Sequence, residues 1–236
     1  MKKKLIAGVA LGTMLLAASA YGAVNKLHLA QTGTYDPAKT FLVGSSWVSG
    51  VGCPTHSKVA TYPSTTPTGA YTDPACTTGD ANDKQNTGLV LAKTGPTSNN
   101  AESFVELKGL SGVAPSELGY DLRTPDLSSA RGSHCGASAP MFQLAMENGD
   151  VYYVGCNSPA ATSQTSGNGW IRLRWGGSAP LQGYLNGTTL QPITGKIKSA
   201  SIVFQEGQDT GPDNFGLAVL DNIDVNGTLI GQGPGN

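Results

Sequence analysis

Helix-forming sequence is scarce in this chain. Charged residues make up only 13 % of its 236 positions, and no segment carries an apolar stripe at helical spacing over three turns, which excludes a bundle or coiled coil. Basic excess is missing too. Fifteen basic residues, three of them at positions 2–4, stand against sixteen acidic ones, so without that leader the net charge is −4; neither nucleic acid nor an anionic membrane surface is an expected partner. Long apolar runs are confined to residues 5–17, too short for a membrane span. The four cysteines include no Cys-x-x-Cys pair, and only His28, His56 and His134 could assist them, so a zinc site is disfavoured. Gly-x-Ser-x-Gly is absent, and no histidine sits in a recognisable triad motif.

What is present begins with the leader. Lys2, Lys3 and Lys4 precede the apolar run, and Ala18, Ser19 and Ala20 form a small-residue exit, the pattern of a secretory signal peptide over 1–23. The expectation is a secreted protein, periplasmic or extracellular, with residues 24–236 as one domain. The 32 Gly and 14 Pro suit short strands joined by tight turns. In an exported protein Cys53, Cys76, Cys135 and Cys156 read as two disulfides; three pairings are open, and nearest-neighbour pairing is the simplest. Gly, Pro, Thr and Ser dominate residues 49–87, which read as a long surface excursion stapled by Cys53 and Cys76.

Strands are expected at 26–31, 88–93, 103–107, 117–123, 170–175, 201–205 and 215–225, with a further apolar stretch at 40–43. The clearest local element is a hairpin over 141–154. Asn148-Gly149 between two apolar runs predicts a two-residue turn. In that register Phe142, Leu144, Met146, Val151 and Tyr153 share the core face and Tyr152 points outward. No fixed-period repeat or interior linker divides the chain. The expected architecture is all-β: a single antiparallel, jelly-roll-like β-sandwich.

The closing run Ala218-Val219-Leu220-Asp221-Asn222-Ile223-Asp224-Val225 resembles the terminal strand of jelly-roll carbohydrate-binding modules. Residues 88–230 are also similar to a group of secreted bacterial proteins, through Leu91-Ala92-Lys93-Thr94-Gly95-Pro96-Thr97, Ser116-Glu117-Leu118-Gly119-Tyr120-Asp121, His134-Cys135-Gly136-Ala137, Gly155-Cys156 and the segment from Glu206-Gly207 onward. The first resemblance implies a glycan-binding fold. The second implies no activity.

Two candidate sites follow. Trp170, Arg172 and Arg174 alternate on one strand face, where an indole can stack on a sugar ring and guanidiniums can bond its hydroxyls; Tyr152 and Tyr184 would extend that platform. An ordinary outer sheet face, with arginine stems covering a tryptophan, would use the same residues. Glu206, Asp209 and Asp213, completed by Asp221 or Asp224, offer oxygen ligands for one structural Ca²⁺. Asp221 falls in phase with Leu217, Val219, Ile223 and Val225, so it must be paired, metal-bound or re-aimed by a bulge. The expected function is non-catalytic binding of an extracellular glycan or cell-surface polymer by a monomer. A structural or adhesive protein with a protein partner is the alternative. A polysaccharide hydrolase or lyase, using carboxylates such as Glu102, Glu106 and Glu117, is the third.

Overall fold

A computed structural model describes residues 30–53, 76, 87–123, 133–136, 139–167, 169–205 and 216–230. The leader and the loop carrying Glu206, Asp209 and Asp213 lie outside the described residues, as does most of the 49–87 excursion. In chain order the strands are β1 (Ala30–Tyr35), β2 (Val43–Val48), β3 (Gly88–Lys93), β4 (Glu102–Leu107), β5 (Glu117–Arg123), β6 (Met141–Met146), β7 (Val151–Gly155), β8 (Ser163–Gly167), β9 (Trp170–Gly176), β10 (Gln182–Leu185), β11 (Thr189–Pro192), β12 (Ile197–Phe204), β13 (Leu217–Val225) and β14 (Thr228–Ile230). They form two antiparallel sheets of seven strands. The first runs β1-β4-β12-β6-β7-β10-β11. The second runs β2-β3-β13-β5-β9-β8, with β14 added to β13. The protein is therefore an all-β sandwich, as its composition and alternation require.

The inner faces meet in one apolar core. Val105, Phe142, Leu144, Tyr152, Val154 and Ile202 come from the first sheet; Leu89, Leu91, Leu118, Tyr120, Trp175 and Leu220 come from the second. Tyr120 lies 5.2 Å from Trp175 and 5.7 Å from Phe142, ring centre to ring centre. Their polar atoms are satisfied at the rim: the Tyr120 hydroxyl donates to the Pro140 carbonyl at 2.8 Å and the Trp175 indole N–H to that of Pro159 at 2.9 Å. Among the described residues, no helix is long and apolar enough to cross a membrane.

Both disulfides join nearest neighbours, Cys53 to Cys76 and Cys135 to Cys156. Two such bridges indicate folding in an oxidising compartment. The second ties the segment entering β6 to the end of β7, next to the hairpin.

That hairpin departs from the expected register. The Met146 N–H bonds the Asp150 carbonyl, and Gly149, at φ 94°, donates to the Met146 carbonyl at 3.1 Å. The loop is thus three residues, a turn closed by a glycine bulge, and not the two-residue form. The Asn148 side chain selects it by accepting the Asp150 N–H at 3.1 Å and donating to the Asp150 carboxylate at 2.8 Å. One extra residue exchanges the faces of the outgoing strand. Leu144 pairs with Tyr152 and Gln143 with Tyr153. Tyr152 and Val154 therefore enter the core, while Val151 and Tyr153 turn outward. Asn226-Gly227 makes the tighter turn instead, with φ 52° and 75°, joining β13 to β14.

Candidate functional site

The alternation of β9 places Leu173 and Trp175 in the core and Trp170, Arg172 and Arg174 on the opposite face, as expected. That face is nevertheless covered. Trp170 is 4 % exposed, Arg172 1 % and Arg174 2 %. Trp170 packs with Cys53, Cys76 and Val219 in a small apolar cluster of its own. The Cys53–Cys76 bridge packs over this part of the sheet, so these side chains form no exposed platform.

Beneath this cover the two arginines meet three carboxylates, Asp121, Asp224 and Glu117, and Asp221 joins them through Asn222. Asp121 projects from β5 beside Arg172, whose Nη1 donates to Asp121 Oδ1 at 3.1 Å. Its other oxygen accepts the Asn222 amide at 2.7 Å and the Cys76 backbone N–H at 3.1 Å. Burial pushes the Asp121 carboxyl above its ordinary range, against the opposing pull of Arg172, Asn222 and Cys76. Asp224 pairs with Arg174 through Nη1 and lies 3.7 Å from Arg172 Nη2; Arg174 Nε is 4.0 Å from Glu117. Asp221 accepts the Cys53 backbone N–H at 2.5 Å through one oxygen and the Asn222 N–H at 2.6 Å through the other. Gly119 gives Arg174 its room, because a Cβ there would collide with the guanidinium.

A bulge explains how β13 supplies two carboxylates to one face. Asn222 adopts φ 45°, and the pairing with β5 slips between Asp221 and Asp224. Asp221 and Asp224 consequently share the outer face, while Ile223 and Val225 return to the core. Residues assigned from sequence to two sites, Arg172 and Arg174 for a sugar, Asp221 and Asp224 for Ca²⁺, thus belong to one buried ionic network. Both Asp221 oxygens accept backbone N–H groups and Asp224 Oδ2 faces the guanidiniums, while Glu206, Asp209 and Asp213 lie outside the described residues. Cys53, Cys76 and Asp121 lie close enough to hold a metal, but in the disulfide the sulfurs are bonded to each other and offer no thiolate.

The outer face of the first sheet is built differently. Residues in direct register across all seven strands form one row: Gln31, Glu106, Ser201, Gln143, Tyr153, Tyr184 and Leu190. At strand spacing the row extends about 29 Å. Every member is half-buried or exposed. In its middle lies a groove of about 250 Å³ lined by Glu102, Phe104, Glu106, Gln143, Ala145, Ser199, Ser201 and Val203 among others. Phe104 lies over Gly33 of β1, where a Cβ would stand 2.5 Å from the ring. Glu102 sits in the groove beside Lys93, whose Nζ donates to the carbonyls of Asn99 and Gln205 at 3.2 and 3.0 Å. Burial raises the Glu102 carboxyl above its usual range and lowers the Lys93 ammonium, each partly offset by the other's charge. Glu106 is ion-paired with Lys108.

Of the five ligand-binding residues expected from sequence, only Tyr184 lies on this open face. Tyr152 is 1 % exposed, and its hydroxyl accepts from Gln191 at 3.1 Å. Sequence reasoning missed Tyr153, Gln143, Phe104 and the serines of β12. The alternation of 103–107 and 141–146 already marked Phe104 and Gln143 as opposite in phase to the core. Glu102 and Glu106 project from the same face of one strand, about 13 Å apart at the backbone. Glu117 belongs to the other sheet.

No family model matches the chain, and no curated protein matches it. Among solved structures, a β-1,2-glucanase from Parabacteroides distasonis aligns with 85 % of this chain at a TM-score of 0.34 and 13 % identity. The chain spans 23 % of that protein's length.

Proposed function

We propose that the protein is an exported, non-catalytic glycan-binding protein whose ligand lies across the open face of the first sheet. The observation that carries this reading is the cross-strand row from Glu106 through Ser201, Gln143 and Tyr153 to Tyr184. An open face that sets the Phe104 ring of the groove and the flanking rings of Tyr153 and Tyr184 among carboxylate, amide and hydroxyl groups suits a sugar, which offers apolar ring faces and a rim of hydroxyls. The second sheet supports the assignment by contrast, because its outer face is spent on internal ion pairs.

Native electrophoresis of the oxidised protein through gels cast with different polysaccharides tests the proposal. One polymer should retard the wild type, and Tyr153→Ala and Gln143→Ala should each reduce that retardation while the melting temperature holds. Uniform migration through a broad panel would overturn it. Self-association insensitive to sugars would point instead to a protein partner, and release of reducing ends would point to catalysis.

A further inference from the structure

The loop between β1 and β2 presents a second feature at one end of the groove. Phe41 is 90 % exposed and holds φ 61°, with Lys39 at 53°, a backbone region that costs an ordinary residue energy and that folds retain mainly at functional positions. The loop is nevertheless firmly built. One Asp36 carboxylate oxygen accepts the Phe41 N–H at 2.8 Å and the Thr40 hydroxyl at 3.0 Å, and the Lys39 N–H bonds the Asp36 carbonyl at 3.0 Å. The next residue, Leu42, offers its carbonyl to the Thr94 N–H at 3.0 Å.

Two separate connections place this loop beside the groove. Tyr35, the last residue of β1 and itself 50 % exposed, pairs directly with Glu102. Thr94, which holds Leu42, follows Lys93, whose charge acts on Glu102. Tyr35 therefore continues the outer face at the Glu102 end, and Phe41 follows it in the exposed loop anchored on Asp36.

From this we infer that Tyr35 and Phe41 form a second stacking platform for the same ligand, so that the glycan is a polymer held along its length and not a mono- or disaccharide. The inference rests on the glycan-binding reading of the groove. An aromatic ring held in water by a strained but well-bonded loop gains most when a sugar face covers it, and a second platform at the sheet's edge rewards a ligand long enough to reach both.

The test is isothermal titration with gluco-oligosaccharide and chito-oligosaccharide ladders, from disaccharide upward, against wild type, Phe41→Ala and Val48→Ala. Val48, exposed at the far end of β2, is the control. Wild type and Val48→Ala should gain affinity with chain length, whereas Phe41→Ala should lose about tenfold on the longest oligomers. A Phe41→Ala variant that follows the wild-type length dependence overturns the second platform and leaves the groove standing. Absence of binding by the wild type to every member overturns both. Equal melting temperatures of the three proteins show that the comparison reports on contact and not on folding.

Discussion

At the scale of single residues, exposure reverses what side-chain chemistry alone suggested. Trp170 has the right ring for a sugar but packs under the Cys53–Cys76 bridge with Val219. Trp170→Ala should therefore cost about 3–5 kcal/mol of stability, read as a lower melting temperature, while the folded fraction keeps its retardation in a polysaccharide gel. Phe41 is the converse case. Its side chain is 90 % exposed at φ 61°, so Phe41→Gly should hold stability or raise it by up to about 1 kcal/mol, because strain relief offsets the added chain entropy. A marked fall in melting temperature would show that the ring is needed for the fold itself.

At the scale of elements, turns and bulges decide which residues face where. Gly149 at φ 94° closes the β6–β7 loop with open space around it. Gly149→Ala should cost about 1 kcal/mol in chemical unfolding, a purely conformational penalty. The neighbouring ends of β3 and β4, in different sheets, carry one pH dependence through Lys93 and Glu102. The folded carboxyl of Glu102 titrates above its ordinary value of 4.5, so the folded state binds the proton more tightly than the unfolded one. This group's contribution to stability consequently falls as pH rises from 4.5 through its folded value. Melting curves across that window should show a flatter slope for Glu102→Gln than for wild type; identical slopes would refute the assignment.

At the scale of the whole molecule, the two sheets have divided their work. The second carries four carboxylates and two arginines beneath a disulfide-linked cover, and the Cys53 and Cys76 backbone N–H groups close it by bonding Asp221 and Asp121. The first leaves the outer row from Gln31 to Leu190 half-buried or exposed. Each bridge should contribute about 3 kcal/mol through loop closure, but opening Cys53–Cys76 also releases donors from buried carboxylates. The Cys53→Ala/Cys76→Ala protein should thus melt well below Cys135→Ala/Cys156→Ala, although the closed loops are nearly equal at 23 and 21 residues. Equal melting temperatures would mean that the cover adds nothing beyond chain entropy.

Much of the fold was legible in local pattern. A buried-looking apolar run located β3, and alternation located β5 and β9; on β9 it assigned Trp175 to the core and Trp170, Arg172 and Arg174 to the other face. Polar strands such as β8 and β11 carry no apolar period and emerged only through pairing with neighbours. Asn148-Gly149 announced a hairpin, but its length turned on hydrogen bonds between Asn148 and Asp150 that exchanged Tyr152 for Tyr153. Asp221 signalled a bulge because a carboxylate could not sit among Val219 and Ile223 unaided. The sequence by itself determined the class of fold, the cysteines available for bridging and the side of each strong strand, since these follow from periodicity and residue chemistry. Only the tertiary structure decided which of the two outer faces meets water, because that depends on where the distant Cys53–Cys76 bridge comes to rest.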